Sequence, residues 1–313
     1  MNISIEIRVG SDSDLPRIEP AFRVLEELQI PFSARVLSAH RTPQRTALRT
    51  RELESAGVRV CIAVAGGAAH LAGVTSAETL IPVLGIPIDT TQFKGTDSLL
   101  SIIQMPEGIP VGSVGVAQAE HAAMMAAQMT ALDDPALRGR IRSRRGLEAR
   151  VPEAKEFVAL AGPKAEKACR EAMDLLTELG VKDVAVFDPG AVAEMEAAGA
   201  RAIIAWAEAD SLSRPAEIAA RTDIPVIAAP LAPGSVPSDF LPRLLEKGPV
   251  AAVGVNRPKN AALLAAMILG NYSTGVREHL RAHRERLAEE VEKKDTRLLA
   301  QGIRRYLEDM KKK

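Results

Sequence analysis

Apolar and polar positions alternate along the chain in short blocks of two kinds. Ile3–Val9 reads as a strand, and Leu15–Ile30 as a helix with Ile18, Phe22 and Leu25 on one face. Ala34–Ser38 predicts a second strand and Pro43–Ala56 a second helix. The continuous apolar run Val58–Val64 ends in Gly66-Gly67 and is followed by a helical pattern over His70–Leu80. Pro82–Ile88 and Pro110–Val116 read as further strands, and Ala119–Ala131 as a helix rich in Ala and Met. Strands this apolar, alternating with helices, predict an α/β fold whose parallel sheet is covered on both faces.

The pattern then restarts. Phe157–Ala161 and Val184–Phe187 read as strands on either side of a helix over Ala165–Leu179. Glu52-Leu53-Glu54-Ser55-Ala56-Gly57-Val58-Arg59 reappears as Glu194-Met195-Glu196-Ala197-Ala198-Gly199-Ala200-Arg201, each leading into an apolar strand. Ile81-Pro82-Val83-Leu84 matches Ile224-Pro225-Val226-Ile227, and Val114-Gly115-Val116 matches Val253-Gly254-Val255. The offset stays near 140 residues, so duplication of one α/β domain is the simplest account. The expected domains are 1–135 and 156–270, joined by a linker over 136–155 and followed by a charged helical arm over 271–313. The linker region carries Arg138, Arg140, Arg142, Arg144 and Arg145 and reads as a solvated helix, with a basic nucleic-acid tail as the alternative. In the arm, sparse apolar positions such as Leu280, Leu287, Val291, Leu299 and Leu307 predict one stripe packed on a neighbouring subunit. His279 and His283, spaced i, i+4, read as an exposed helix face rather than a metal site.

Composition narrows the function. Lys plus Arg and Asp plus Glu both number 40, so no net charge draws the chain to nucleic acid, and aromatics at 3% supply no base-stacking platform. Cys61 and Cys169 fall in apolar or helical runs without metal-ligand spacing, as expected of buried thiols in a reducing cytoplasm. The first residues lead straight into a strand with no signal-peptide pattern, and no apolar run reaches the length of a membrane span.

In an open parallel sheet, ligands bind beyond the carboxyl ends of the strands, so the loops there are the candidates for chemistry. The first reads Gly10-Ser11-Asp12-Ser13-Asp14 before Leu15-Pro16. Its hydroxyls and free helix amides suit a phosphate, although helix capping alone would explain Asp14. The second reads Ser38-Ala39-His40-Arg41-Thr42-Pro43, with Thr42-Pro43 opening a helix. Histidine is the side-chain type that titrates nearest neutral pH, which makes His40 a candidate acid or base, and Arg41 offers a fork for phosphate or carboxylate. The third reads Ala65-Gly66-Gly67-Ala68-Ala69-His70-Leu71, small enough for backbone to approach a planar ligand, with His70 either catalytic or holding the loop.

Together these loops, with Pro82–Pro87 and Asp97–Pro106, resemble the bacterial-type N5-carboxyaminoimidazole ribonucleotide mutase family over about residues 3–130. The resemblance implies two tandem flavodoxin-like three-layer domains in this chain and assemblies of eight such domains. It implies a ribonucleotide substrate whose carboxylate moves from the exocyclic nitrogen to ring carbon 4, without metal or other cofactor. By analogy Ser11, Ser13 and Arg41 hold the phosphate, Asp14 the ribose, and His40 is the general acid and base. Ser38, Gly66, Gly67, Ala68, His70 and Leu71 enclose the base and carboxylate. Arg41-Thr42-Pro43 disfavours the related direct carboxylation of aminoimidazole ribonucleotide, whose enzymes resemble Ser-Ala-His-Lys here. A non-catalytic nucleotide-binding or scaffold protein is the rival of another class. The family's Pro-Gly-Met after His-Leu is here Ala72-Gly73-Val74, a change that could loosen the pocket, and its usual Asn at the last helix is His121 in repeat one but Asn260 in repeat two. The second repeat has Ala161-Gly162-Pro163-Lys164, Asp188-Pro189-Gly190 and Ala207-Glu208-Ala209-Asp210-Ser211 in place of the three loops. Its acidic third loop would repel phosphate, so it reads as a structural partner or as the site of a different ligand. Two domains per chain then predict a homotetramer, with no nucleic acid or membrane partner.

Overall fold

Continuous apolar runs such as Val60–Gly66 and Ala202–Ala207 can only be covered by burying both of their faces, and the chain does so by setting its strands in a sheet between helices. The computed structural model describes residues 3–67, 69–89, 93–162 and 166–311. The first half supplies strands β1 Ile5–Val9, β2 Phe32–Val36, β3 Val60–Gly66, β4 Val83–Ile88 and β5 Gly112–Ser113. Its helices are α1 Glu19–Glu27, α2 Pro43–Arg51, α3 His70–Ala77, α4 Thr96–Ile103, α5 Ala119–Thr130 and α6 Pro135–Arg144, with a 3-10 turn over Asp12–Ile18. The second half supplies β6 Phe157–Ala161, β7 Asp183–Phe187, β8 Ala202–Ala207, β9 Val226–Pro230 and β10 Val250–Ala252. Its helices are α7 Glu166–Glu178, α8 Val192–Ala198, α9 Arg214–Ala219, α10 Phe240–Leu244 and α11 Pro258–Gly270, and the arm is α12 Thr274–Gln301 and α13 Ile303–Lys311.

Each half has the strand order 2-1-3-4-5 of a flavodoxin-like sheet, with every neighbour parallel. The two sheets are one. β5 pairs antiparallel with β10 through Ser113 and Ala252, giving a ten-stranded sheet in the order β2-β1-β3-β4-β5-β10-β9-β8-β6-β7. The antiparallel seam points the carboxyl ends of the two halves in opposite directions. Pro110–Val116, expected as a full strand, pairs only over Gly112–Ser113.

The seam is close because repeat-equivalent glycines stand on both sides of it. A β-carbon on Gly115 would lie 2.8 Å from the Leu245 carbonyl oxygen, and one on Gly254 would lie 3.0 Å from that of Ile103. Asn260 reaches across, accepting from the Gly108 amide at 3.0 Å and donating to the Pro106 carbonyl at 3.0 Å. Its repeat-one equivalent, His121, has no partner for its buried Nδ1 among the described residues, and burial lowers its pKa. Arg59 and Arg201, the last residues of the two matching sequence blocks, both stack on Tyr272, 5.1 and 4.9 Å from the ring centroid.

The solvated linker expected over 136–155 is corrected in part. It opens within α6, capped by Asp134, whose side chain accepts from the Leu137 amide at 2.9 Å. Arg138 and Arg142 of this helix are buried and converge on the buried Asp223 of the second half, Arg138 Nε at 2.6 Å from Oδ2. Arg142 also meets Glu196 at 2.9 Å, and Arg145 donates to the Thr222 and Ala219 carbonyls. An arginine-rich helix is thus an ion-paired strap across the halves. The arm starts on the chain itself: Val276 and Leu280 are buried, and Arg284 donates to the carbonyls of Ser76 and Ala77 at the end of α3 and of Thr79 just after it. Farther along, Val291, Leu299, Ile303, Leu307 and Met310 are exposed. His279 bonds its own helix at Gly275 O and His283 lies 3.7 Å from Glu178. Among the described residues no group of side chains could hold a metal ion, and no helix is long and apolar enough to cross a membrane.

Candidate functional site

The loops singled out in the first half meet where the strand order reverses, between β1 and β3, at the carboxyl edge of the sheet. They line a hollow of about 310 Å³ that includes Gly10, Ser11, Asp14, Ser38, His40, Arg41, Gly66, His70 and Leu71. Larger hollows lie elsewhere, one of about 660 Å³ at the second half's sheet edge beside Glu208, Asp210 and Asn256. Size is therefore a poor guide here, and the chemistry of the lining decides.

Two imidazoles form the centre. His40 Nε2 and His70 Nδ1 are 2.8 Å apart, with the rings edge-on at 88°. One nitrogen donates and the other accepts, so the pair shares a proton and each ring keeps one further nitrogen for a ligand. His40 is held by its loop. Thr42 Oγ1 accepts from the Ser38 amide at 3.1 Å and donates to the Ser38 carbonyl at 3.1 Å, and Ser38 Oγ accepts from the Arg41 amide at 3.2 Å. His70 opens α3, so helix geometry fixes its position.

Around this centre lie groups suited to an anion. Arg41 Nη2 donates to the Gly10 carbonyl at 2.8 Å, drawing the second loop onto the first and leaving further guanidinium donors for a ligand. Ser11 caps the 3-10 turn, its hydroxyl accepting from the Ser13 amide at 3.4 Å and from the Ser13 hydroxyl at 2.9 Å. Ser13 is thus beside the hollow through Ser11 without lining it. Burial raises the pKa of Asp14, against the opposing pull of Arg17. Arg17 in turn meets Asp89 at the end of β4, at 2.5 Å, tying the turn to the next strand.

The third loop differs in detail from expectation. Gly67 has a left-handed φ of 60°, but its amide donates to Ser98 Oγ at 2.8 Å, and Ser98 donates to the Ile88 carbonyl at 2.9 Å. That amide is therefore engaged, and Gly67 shapes the loop instead of lining the hollow. Ser98 belongs to the Asp97–Pro106 segment, where it had stood as part of a motif without a role. Ala68 lies outside the described residues. Ala65, at the start of the third loop, lines the hollow, and so does Ala39, which had no role assigned. Ala72 is buried in the core and Val74 points to solvent, so the Ala72-Gly73-Val74 departure sits outside the hollow's lining.

The second half offers none of this chemistry among its described residues. Asp188 accepts from the Gly190 amide at 2.8 Å, and Ser211 Oγ accepts from the Glu208 amide at 3.0 Å, so these loops satisfy themselves. Pro163 and Lys164 lie outside the described residues.

The chain matches the AIR carboxylase family over two segments, residues 4–150 and 189–290, one in each half. It is 46% identical over 141 residues to an N5-carboxyaminoimidazole ribonucleotide mutase of Pyrococcus abyssi, covering 45% of this chain and 81% of that one. The corresponding mutase of Brucella melitensis is 47% identical over 143 residues, 45% of this chain and 88% of its own. A phosphoribosylaminoimidazole carboxylase of Schizosaccharomyces pombe is 39% identical over 163 residues, 52% of this chain and 28% of its own.

Proposed function

The chain belongs to the AIR carboxylase family, and on that premise we propose that its first half is an N5-carboxyaminoimidazole ribonucleotide mutase of de novo purine biosynthesis with His40 as its general acid and base. The observation that carries this reading is the His40–His70 pair, 2.8 Å apart, in one hollow with Ser11, Asp14 and Arg41. Arg41 and Ser11, with Ser13 behind it, would hold the 5′-phosphate, and Asp14 the ribose hydroxyls. Ser38, Gly66, His70 and Leu71 would face the base and its carboxylate.

The chemistry then balances on one proton. His40 protonates the carbamate nitrogen, the nitrogen–carboxyl bond breaks, and CO2 and aminoimidazole ribonucleotide remain in the pocket. Carbon 4 attacks the CO2, forming the carbon–carbon bond, and the ring proton on carbon 4 returns to His40. Substrate and product are isomers, so the balance requires neither ATP nor an oxidant. His70, bonded to His40, holds its ring and can take up part of its charge as the proton moves.

The relatives' names include a carboxylase, so the assay needs two arms. Purified protein should convert N5-carboxyaminoimidazole ribonucleotide to the 4-carboxy isomer without ATP. His40→Asn should keep the fold and nucleotide binding while losing about 10²–10⁴ in rate. Turnover of aminoimidazole ribonucleotide with CO2 but not of the carbamate would replace the mutase by a carboxylase, and wild-type rates in His40→Asn would remove His40 from the chemistry.

Further parts of the reading concern assembly and setting. The resemblance implies assemblies of eight such domains, so four two-domain chains would form a homotetramer. The exposed apolar positions of α12 and α13, from Val291 to Met310, supply a stripe for a neighbouring copy. The second half, with its loops bonded to themselves, would serve as packing surface. Free buried thiols at Cys61 and Cys169 suit a reducing cytoplasm.

A further inference from the structure

The two helices that deliver His40 and His70 meet at one buried guanidinium. Arg8 lies on β1 and is fully buried on the sheet face that α2 and α3 cover. Its Nη1 donates to Thr50 Oγ1 on α2 at 2.6 Å and to Thr75 Oγ1 on α3 at 3.3 Å. Its Nε donates to Oε1 of the equally buried Glu6 at 2.8 Å. The other Glu6 oxygen accepts from Arg49 of α2 at 2.7 and 2.9 Å and from Arg35 of β2 at 3.2 Å.

α2 has little else to hold it. Its fully buried residues are Thr46 and Thr50, and Leu48 is 62% exposed. The helix is docked by this polar network and not by an apolar stripe. From Thr50 the bonds climb to the catalytic loop: Thr50 Oγ1 donates to the Thr46 carbonyl, and Thr46 Oγ1 donates to the carbonyls of Thr42 and Ser38. On the other side, Thr75 lies on the helix that His70 opens.

We propose that Arg8, seated on Glu6, is a positioning residue for the mutase reaction: it ties α2 to α3 and so sets the contact between His40 and His70. A buried ion pair is a poor source of stability compared with apolar residues of the same volume. Here Arg8 Nη2 also lacks a partner among the described residues, which adds a further penalty. What a guanidinium supplies, and an apolar side chain does not, is a planar fork with fixed bond directions. One such fork can hold two helices and a carboxylate in a single arrangement. A misplacement of about 1 Å at reacting groups can lower a rate on the order of 100-fold.

The kinetic part rests on the mutase reading, so the test has one readout that does not. Arg8→Met and Thr75→Val are made in the full chain, with histidine labelled by 15N, and the ring signals of His40 and His70 are assigned from His40→Asn and His70→Asn. Both variants should unfold cooperatively, show displaced ring signals for the pair in the ligand-free protein, and keep KM within about threefold. Turnover should fall roughly tenfold or more in Arg8→Met and by less in Thr75→Val. If Arg8→Met does not fold, Thr75→Val, which removes only the α3 end of the tie, decides. Wild-type ring signals in a folded variant overturn the proposal, and so do displaced signals with unchanged kcat. A wild-type protein without mutase turnover refutes the mutase reading instead, and the ring signals still decide whether Arg8 sets the pair.

Discussion

Arg41 holds the Gly10 carbonyl with one arm of its guanidinium and lines the same hollow as Ser11, so its remaining donors are candidates for an anion there. If that anion is the substrate phosphate, Arg41→Ala should weaken nucleotide binding by about 1.5–3 kcal/mol, the range for a hydrogen bond to a charged group. The dephosphorylated nucleoside should bind the variant and the wild type alike. Calorimetric titration with both ligands checks this, and equal losses would put the phosphate elsewhere. The candidate residues were legible because loops at strand ends carry recognisable caps: Thr42-Pro43 marks a helix start, and His40 and Arg41 must then stand at the sheet edge. The Gly67 amide was not. Its partner Ser98 comes from α4, 31 residues on, and local spacing says nothing about which hydroxyl will reach it. Glu6 and Arg8 were equally silent, since alternation along β1 puts both on one face without saying what covers that face.

At the scale of elements, α6 is the case where charge misleads. Five arginines within eight residues resemble a solvated surface, but the carboxylates that pair with Arg138 and Arg142 lie far along the chain, at Glu196 and Asp223. Asp223 is buried beneath Arg138 and Arg142, so Asp223→Ala leaves Arg138 without its ion-pair partner and Arg142 with Glu196 alone. Breaking a buried pair in this way should cost about 3–5 kcal/mol, read as a lower urea midpoint. A loss under about 1 kcal/mol would mean that the strap is solvated in solution, as the composition alone suggests. Where apolar periodicity set the outcome, sequence and structure agree: Phe157–Ala161 is a strand at the stated residues, and α5 begins and ends within one residue of expectation. The strand over Pro110–Val116 shortened to Gly112–Ser113, which pair with β4 while only Ser113 also pairs with β10.

For the whole molecule, duplication was readable from the constant offset, but its geometry was not. An offset says that a unit recurs; it does not say that β5 and β10 will run antiparallel in one sheet. Tyr272 reports on the join. Burial pushes its phenol up to about 12, and its hydroxyl donates to the Met129 carbonyl at 2.7 Å. The ordinary value is about 10, so the protonated form is favoured by folding. Its contribution is therefore complete below about pH 10 and is lost as pH rises through about 12. Thermal melting should show a decline between those values that is reduced in Tyr272→Phe; an equal decline in both would place the alkaline sensitivity elsewhere. The assembly has its own check. Light scattering should give the mass of four chains, and titration with a tight nucleotide analogue should count one site per chain. A monomer, or two equivalent sites, would refute the tetramer of single-site chains.

The antiparallel seam has a genetic consequence. In a pair of identical subunits, every mutation at a two-fold contact is made twice, and both copies must tolerate it. Here the two sides of the contact are encoded separately, so each substitution occurs once. Asn260 bridges the seam with two hydrogen bonds, while His121, at the matching place, leaves a ring nitrogen unmatched. A symmetric dimer would have to carry that misfit on both sides. In this chain the mutational dose is halved, and one side of the contact can drift while its counterpart keeps its two bonds.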